Sequence, residues 1–448
     1  MELHLHNILK IARADIRLNG LTVITGENDS GKSTIGKMLF SVLKTIGRGR
    51  AYRRDSILRN IKMRFRRMSM RIENDTNGIS SNVLDWLMDD LDRICPDLID
   101  GTLQLESIKK DILVALRESN CSPRVISMTQ FDFMSIRRQL DKIQDPQSAI
   151  LLEFTQICNN EFGDDITSFD RKDSTVRLSS PGGNNGYFEI GIIDNEKCPC
   201  KFTDGEFFND VTYVESPLFL NILDQLGRSN MLRLAGTSAP RDIPMHLADF
   251  ANKMSYTPSM TSPGSLFGEE YNDLQTELEE IMGGRFANDE KKHNIVYVSD
   301  GHSIKLGNVA SGIKSFGVIQ SLLQSEFISP ENLLIWDEPE NHLHPRWQVE
   351  FARILVLLVK SGIPIVISTH SPYFVQGIRY FSALYGIEDV VDYYMAVESA
   401  DAPLSDFVNV SGNLNDVFSK LAGPLNDIMN VDEARLEGKQ NRGTHDPE

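Results

Sequence analysis

The sequence predicts an α/β fold, a parallel sheet flanked by helices and interrupted by a large, mostly helical insertion. Three observations carry this. In the second half of the chain, apolar strand-like runs alternate with helical patterns: LLIW at 333–336, a helix over 346–360, PIVIS at 364–368 and a helix from 372 to 380. Alternation of this kind builds parallel strands with helices on the sheet faces. Near the N-terminus, the apolar run LTVI at 21–24 leads through a glycine-containing turn into a helix expected from Lys32 to about Ile46. Between these regions, residues 48 to about 180 lack glycine-rich turns and carry apolar residues at helical spacing, as in 84–98 and 103–116.

Taken in order, Leu3 and Leu5, then Ile16 and Leu18, alternate with polar neighbours and read as strands before LTVI. The run SSPGGNNG at 179–186 is a turn signal, after which strands resume at 187–193 and 211–214. A second insertion is expected over 216–290, its Thr-Pro-Ser and Thr-Ser-Pro-Gly stretches reading as a mobile surface loop. The strand pair 294–298 and 303–306 leads back into the core. The expected domains are a discontinuous head over 1–47 and 185–430, a helical insertion or arm over 48–184, and a polar, disordered tail over 431–448.

The chain has 448 residues, 41% apolar and 24% charged, which is the composition of a globular protein larger than one ordinary domain. The N-terminus does not read as a signal peptide, and an apolar run such as ILVLLV at 354–359 is far too short to cross a bilayer. A cytoplasmic protein without a membrane role is expected. Five cysteines, at 95, 121, 158, 198 and 200, read as free thiols, and the Cys198-Pro199-Cys200 pair has no second pair to complete a zinc site.

Net charge is −17 but unevenly spread. Residues 44–71 hold eleven basic side chains, Lys44, Arg48, Arg50, Arg53, Arg54, Arg59, Lys62, Arg64, Arg66, Arg67 and Arg71, against Asp55 alone, so +10 there and −27 elsewhere. Such a segment suits non-specific, salt-sensitive contact with DNA or RNA phosphates. It suits equally a solvated helix paired with the acidic remainder. No aromatic-rich stacking surface accompanies it, so sequence-specific recognition is not suggested.

Four motifs carry the chemistry. The first, Gly26-Glu27-Asn28-Asp29-Ser30-Gly31-Lys32-Ser33-Thr34, is a complete G-x-x-x-x-G-K-[ST] phosphate loop. Its glycines let backbone N–H groups turn toward phosphate oxygens at a helix N-terminus. Lys32 is expected on the β- and γ-phosphates of ATP, and the Ser33 hydroxyl on Mg²⁺. The second motif delivers Asp337 and Glu338 at the end of LLIW, where ligands of parallel sheets collect. There Asp337 would hold Mg²⁺ through water and Glu338 would act as general base on the attacking water.

The third motif, Ser368-Thr369-His370-Ser371-Pro372, ends the strand PIVIS, 32 residues after Glu338. His370 could face the γ-phosphate from there, or serve only in a capped turn. The fourth, Val309-Ala310-Ser311-Gly312-Ile313-Lys314-Ser315, offers Ser311, Gly312 and Lys314 to a nucleotide at a helix start. Locally a plain N-cap formed by Ser311 fits as well, and the order of all four motifs favours the nucleotide role.

In that order the motifs resemble those of ABC ATPases. Ser311 and Gly312 match the Leu-Ser-Gly-Gly-Gln signature, whereas Ala310, Ile313 and Lys314 depart from it. Glu340-Asn341-His342-Leu343-His344-Pro345, continuing Asp337-Glu338-Pro339, is similar to the DEPE-x-x-LHP dimer-contact loop of OLD-type ATPases. His370-Ser371-Pro372-Tyr373-Phe374 and the strand Tyr213-Val214-Glu215-Ser216-Pro217 also resemble that branch of the SMC, RecF and OLD superfamily. The 285 positions between Gly26 and Ser311 fit this branch better than transporter subunits, which are more compact. No glutamine takes the Mg²⁺-sensing Q-loop place; Glu215 lies nearby.

The resemblance implies a head-to-tail homodimer, with Lys32 and Glu338 of one subunit and Ser311 of the other enclosing each ATP, and with Asn341 and His342 at the dimer contact. Only 78 residues follow His370, which leaves no room for the TOPRIM nuclease domain of OLD enzymes. A nuclease is therefore expected from another polypeptide. Short ATPases of this design resemble those of antiphage systems, the Septu and retron-associated types with an HNH effector nuclease or the PARIS type with a TOPRIM partner. A RecF- or SMC-like ATPase acting directly on DNA in repair or maintenance is the alternative, and a nucleotide-gated scaffold with little hydrolysis ranks third because Glu338 is present.

Overall fold

The computed structural model describes residues 1–50, 54–75, 90–118, 121–144, 146–163, 166–168, 173–181, 186–193, 196–221, 243–255, 268–289, 294–400, 403–421 and 423. Strands β1 (Glu2–Ile8), β2 (Ile11–Arg17) and β3 (Leu21–Thr25) precede helix α1 (Lys32–Arg50). Helices α2 (Arg54–Asp75), α3 (Leu91–Ile99), α4 (Leu105–Glu118), α5 (Pro123–Gln144) and α6 (Pro146–Phe162) follow. Strands β4 (Asp173–Ser179), β5 (Tyr187–Ile193), β6 (Glu196–Lys197), β7 (Lys201–Thr203) and β8 (Asp210–Val214) come next, then α7 (Met245–Met254) and α8 (Gly268–Met282). Strands β9 (Arg285–Asp289), β10 (Asn294–Ser299) and β11 (His302–Lys305) lead to α9 (Ser311–Gln324). The last elements are β12 (Asn332–Asp337), α10 (Pro345–Lys360), β13 (Ile365–Thr369), α11 (Pro372–Tyr385), β14 (Val391–Glu398) and β15 (Ser405–Asn409).

Two compact units emerge, Met1–Lys44 with Thr155–Glu448, and Thr45–Phe154. In the first, one sheet runs β6-β5-β4-β1-β2-β15-β14-β3-β13-β12-β8, with β7 paired to β5. Its functional half is parallel: β8, β12, β13, β3 and β14 all run in one direction. The other half, from β2 through β1 and β4 to β5, is antiparallel. The two halves differ in burial as they should. β3 and β13 are buried along their whole length, whereas β4 alternates. A three-stranded antiparallel sheet, β11-β10-β9, stands apart.

One expectation changes. Strand β4 lies within the segment assigned to the helical insertion; Ser174, Val176 and Leu178 face inward with period two, and Leu178 and Val176 pair with Leu3 and Leu5 of β1. The helical unit therefore ends at Phe154 rather than 184. The expected parallel strands are joined by an antiparallel half, because consecutive strands at the N-terminus are close enough in sequence to pair as hairpins. Of the second insertion, α7, α8 and β9 are described and 222–242 and 256–267 are not; the tail at 431–448 also lies outside the described residues.

The head core gathers Trp336, Phe316, Phe351 and Phe374 from β12, α9, α10 and α11, with Phe351 edge-on to Phe316 and Trp336 at 5.1 and 5.0 Å. Gly36 in α1 lets the helix approach the sheet: a Cβ there would lie 2.9 Å from the Tyr213 ring and 3.2 Å from Ile335. The helical unit has its own core, with Ile57, Ile61, Phe65, Met68 and Ile72 on one stripe of α2 and Phe133 and Ile136 on α5. All five cysteines are free thiols, and burial pushes Cys95 up to about 11 and Cys200 up to about 12.

Candidate active site

The phosphate loop joins β3 to α1. Gly31 holds φ +95, a backbone conformation closed to ordinary side chains, and lets the loop turn tightly into the helix. Lys32 lies in the curl, donating from Nζ to the carbonyls of Gly26 (2.9 Å) and Glu27 (2.7 Å), and Ser30 Oγ donates to Glu27 O at 2.8 Å. Lys32 is buried, and burial lowers its pKa; Glu338, Asp337, Glu340 and Glu27 oppose that fall without cancelling it. Four acidic groups thus face one buried ammonium. Ser33 and Thr34 are half-buried in the first turn of α1, and Asn28 is exposed at the loop tip. Asp29, with φ +65, pairs with Lys10 at 2.8 Å.

Strand β12 brings Asp337 to the same crevice, which Lys32, Tyr213, Asp337 and Ser368 line together. Asp337 is buried, its Oδ2 accepting from Tyr213 Oη at 3.0 Å and its Oδ1 from Ser368 Oγ. Glu338 follows in the left-handed region, φ 46, which costs about 1–3 kcal/mol for such a residue and is found where function fixes a side chain. Its N–H donates to Ser368 O at 2.9 Å. Its carboxylate reaches His370 Nδ1 at 3.3 Å through Oε1 and receives Asn341 Nδ2 at 2.9 Å through Oε2. His370 and Asn341 thus flank the general-base candidate from either side.

Glu340 organises the turn that carries His370. Its Oε1 accepts from Thr369 Oγ1 (2.7 Å), His370 N (2.8 Å) and Ser371 N (3.2 Å), and lies 3.4 Å from His370 Nδ1. Burial raises its pKa more than these hydrogen bonds lower it. The turn ends where Ser371 caps α11, accepting from Phe374 N at 3.3 Å, with Pro372 in the first helical position. His344 and Pro345 start α10 in the same way, through His344 Nδ1 and Arg346 N.

Ser311 and Gly312 begin α9. Ser311 does not cap the helix; its Oγ donates to His342 O at 3.3 Å. His342 is exposed with φ 64. The signature-like residues and the candidate dimer-contact loop therefore adjoin within one chain. Gly312 sits 3.3–3.4 Å, at its would-be Cβ, from Leu343 and Trp347. Lys314 departs from the expectation. It is buried, burial lowers its pKa, and it donates to Asn221 Oδ1 at 2.6 Å, because the helix turns that position inward.

The basic segment also divides. Lys44 is committed to Asp210 (2.5 Å) and Asp249 (2.7 Å), and Arg48 to Glu153 (3.3 Å). Within the helical unit Lys62 meets Asp92, and Arg64 and Arg71 share Asp132. Arg50 is half-buried, and burial lowers its pKa. Arg66 and Arg67 are exposed on α2. Arg53 and the side chain of Arg54 lie outside the described residues.

The donor set fits a nucleotide with Mg²⁺. Ser33 and Asp337 offer hard oxygens, and Mg²⁺ keeps most of its shell as water and phosphate oxygen rather than a protein cage. No group of three or more His, Cys, Asp or Glu side chains able to hold a metal occurs among the described residues. Nor is any described helix long and apolar enough to cross a membrane.

A phosphate loop between a buried central strand and its helix, with paired carboxylates at the end of a parallel strand one removed, defines a P-loop ATPase head of mixed α/β fold. Two family models agree with that class. One, described as an AAA domain, matches residues 2–180; the other, described as "AAA domain, putative AbiEii toxin, Type IV TA system", matches 238–376. No curated protein matches the chain. Among solved structures the chain is similar to the SMC head domain from Thermotoga maritima (11% identity, TM-score 0.37, 91% of this chain and 98% of that one). It is also similar to an SMC head from Pyrococcus furiosus bound to the C-terminal domain of ScpA (11%, 0.37, 96% and 98%). A third is the recombination mediator RecF (11%, 0.33, 91% and 97%).

Sequence reasoning assigned no role to Tyr213, Ser368, Glu340 or His246. Ser368 and Glu340 stand inside recognised motifs, one residue or two from an assigned group. Tyr213 could have been found from strand order alone, since β8 lies beside β12 and pairs Tyr213 with Ile335, two residues before Asp337.

Proposed function

We propose that the chain binds and hydrolyses ATP with Mg²⁺, closes as a head-to-tail homodimer, and in that state controls a separate effector nuclease in antiphage defence. The observation that carries the ATPase reading is the convergence of Lys32, Asp337, Glu338 and His370 at the C-terminal ends of three strands, β3, β12 and β13. Ser33 and Asp337 would hold Mg²⁺, which when bound would supply neutralisation of the charge developing on the phosphates. Lys32 neutralises phosphate charge from within the loop. Glu338 accepts the proton of the attacking water, held in place by Asn341 and His370, and His370 presents its ring to the γ-phosphate side.

The dimer reading is supported by the adjacency of Ser311 and His342, which gives one continuous surface for a partner's nucleotide. The defence reading is supported by the family description over 238–376, which names a toxin of a toxin–antitoxin system. A RecF- or SMC-like maintenance role is the second reading, favoured by the exposed Arg66 and Arg67. A cytoplasmic location goes with both. The test is light scattering of Glu338→Gln with and without ATP, co-expressed with its genomic neighbours. The defence reading expects an ATP-stabilised dimer carrying an HNH or TOPRIM nuclease. A dimer with no partner, whose turnover rises with DNA, favours maintenance; a nucleotide-blind monomer removes the dimer altogether.

A further inference from the structure

The carboxylate of Asp337 is fixed at both oxygens, and one of the fixing groups belongs to a second buried network. Tyr213 Oη donates to Asp337 Oδ2 at 3.0 Å with both groups buried. The Tyr213 ring lies against the ring of His246, centroids 4.8 Å apart and planes inclined by 60°, and Phe40 of α1 stands edge-on to both at 6.2 Å. His246 is fully buried and held at three points. Its Nδ1 meets Glu161 Oε2 at 2.6 Å, its Nε2 meets Glu215 Oε2 at 3.0 Å, and its backbone N–H donates to Glu161 Oε1 at 2.7 Å. Glu215 also receives Lys37 Nζ of α1 at 3.4 Å. With both ring nitrogens engaged, the imidazole cannot rotate without losing a charge-assisted bond in a buried setting.

We infer that Tyr213 is a positioning residue for the Mg²⁺-facing carboxylate of Asp337, and that the Glu161–His246–Glu215 clamp holds Tyr213 in place. This rests on the reading of Asp337 as a Mg²⁺ ligand. A core tyrosine chosen for volume alone would need only its ring; here the hydroxyl is directed at the one carboxylate whose orientation matters to the metal. Partners that orient a metal-binding carboxylate are typically worth about 10- to 100-fold in metal affinity. Ser368 holds Oδ1 and Tyr213 holds Oδ2, so the carboxylate plane is set from two strands, β13 and β8. Glu161 sits in the last turn of α6, so a shift of that turn would reach Asp337 through His246 and Tyr213.

The test uses Mn²⁺ as the probe, titrated by electron paramagnetic resonance into the full chain saturated with a non-hydrolysable ATP analogue. Tyr213→Phe keeps the ring and removes only the hydroxyl. The inference expects about 10-fold weaker Mn²⁺ binding with the analogue's own metal-free affinity unchanged and the chain still folded. His246→Gln, which keeps one hydrogen bond of the clamp, should weaken Mn²⁺ in the same direction by a smaller factor. Mn²⁺ affinity within twofold of the parent in Tyr213→Phe, while Asp337→Asn loses it, overturns the inference alone. Unchanged Mn²⁺ affinity in Asp337→Asn overturns the ligand reading beneath it.

Discussion

The parallel half of the head sheet and the helical unit at Thr45–Phe154 use polar groups in different ways. At the C-terminal ends of β3, β12, β13 and β8, ionisable groups are buried or half-buried and tied to others far away in sequence: Tyr213 to Asp337 across 124 positions, His370 to Glu338 across 32. In the helical unit the core is built from Ile61, Phe65, Met68 and Phe133, and the ion pairs tie helix to helix: Lys62 to an exposed Asp92, Arg64 and Arg71 to a buried Asp132. Burying an ion is expensive unless its partners are fixed, so the head spends stability on geometry, while surface pairs contribute at most about 1 kcal/mol each. The difference bears on function: in the head, polar groups from strands distant in sequence are linked beside the phosphate loop, whereas in the helical unit they tie one helix to the next.

Substitutions can break or sharpen that contrast. Lys32→Ala should have the largest effect on turnover, lowering ATP hydrolysis by about 100- to 1000-fold, since it removes the one cation inside the phosphate loop. Phosphate release measured at saturating ATP checks it, together with nucleotide binding. Glu340→Ala should come next, with about tenfold slower turnover. It leaves the Thr369 hydroxyl and the His370 and Ser371 N–H groups without their shared acceptor and so loosens His370. Phe65→Ala should do the reverse: it costs the chain about 3–5 kcal/mol of stability in the helical unit, read by denaturant unfolding, yet leaves turnover per folded molecule within twofold. A large loss of turnover there would mean that the helical unit takes part in the chemistry.

The smallest effect is in pH dependence. Burial pulls His246 down, but the carboxylates of Glu161 and Glu215 outweigh it, so its folded pKa lies above the ordinary 6.5. Glu215, hydrogen-bonded by His246 and close to Lys37, is pulled down to about 2. Protonated His246 therefore stabilises the fold fully below pH 6.5 and loses that contribution as pH rises through its folded value. Ionised Glu215 contributes fully above pH 4.5 and loses it as pH falls toward 2. The stability difference between the parent and His246→Gln should thus be flat between pH 4.5 and 6.5 and shrink at higher pH, as read from chemical denaturation at a series of pH values.

The same contrast decides what the sequence could tell. The phosphate loop, Asp337-Glu338 and His370 are legible because each is a short run whose residue types and spacing are set by phosphate chemistry. The strands beside them are legible because they are buried on both faces and read as unbroken apolar runs. What escaped is non-local. Nothing near Tyr213 or His246 in sequence announces Asp337 or Glu161, the latter 85 positions away. Strand β4 escaped for a local reason, since DSTVRLS alternates over only seven residues beside a long helical stretch. Lys314 escaped because a signature-like motif gives residue order, whereas only helical phase decides which side chain turns inward.

The most direct test of the central claim, that this head hydrolyses ATP with Glu338 as its base, is single-turnover phosphate release alongside ATP binding for the parent chain and Glu338→Gln. The account predicts that both bind ATP with similar affinity and that the variant releases phosphate at least about 100-fold more slowly. Equal release rates, or a parent chain that binds no ATP, would contradict it.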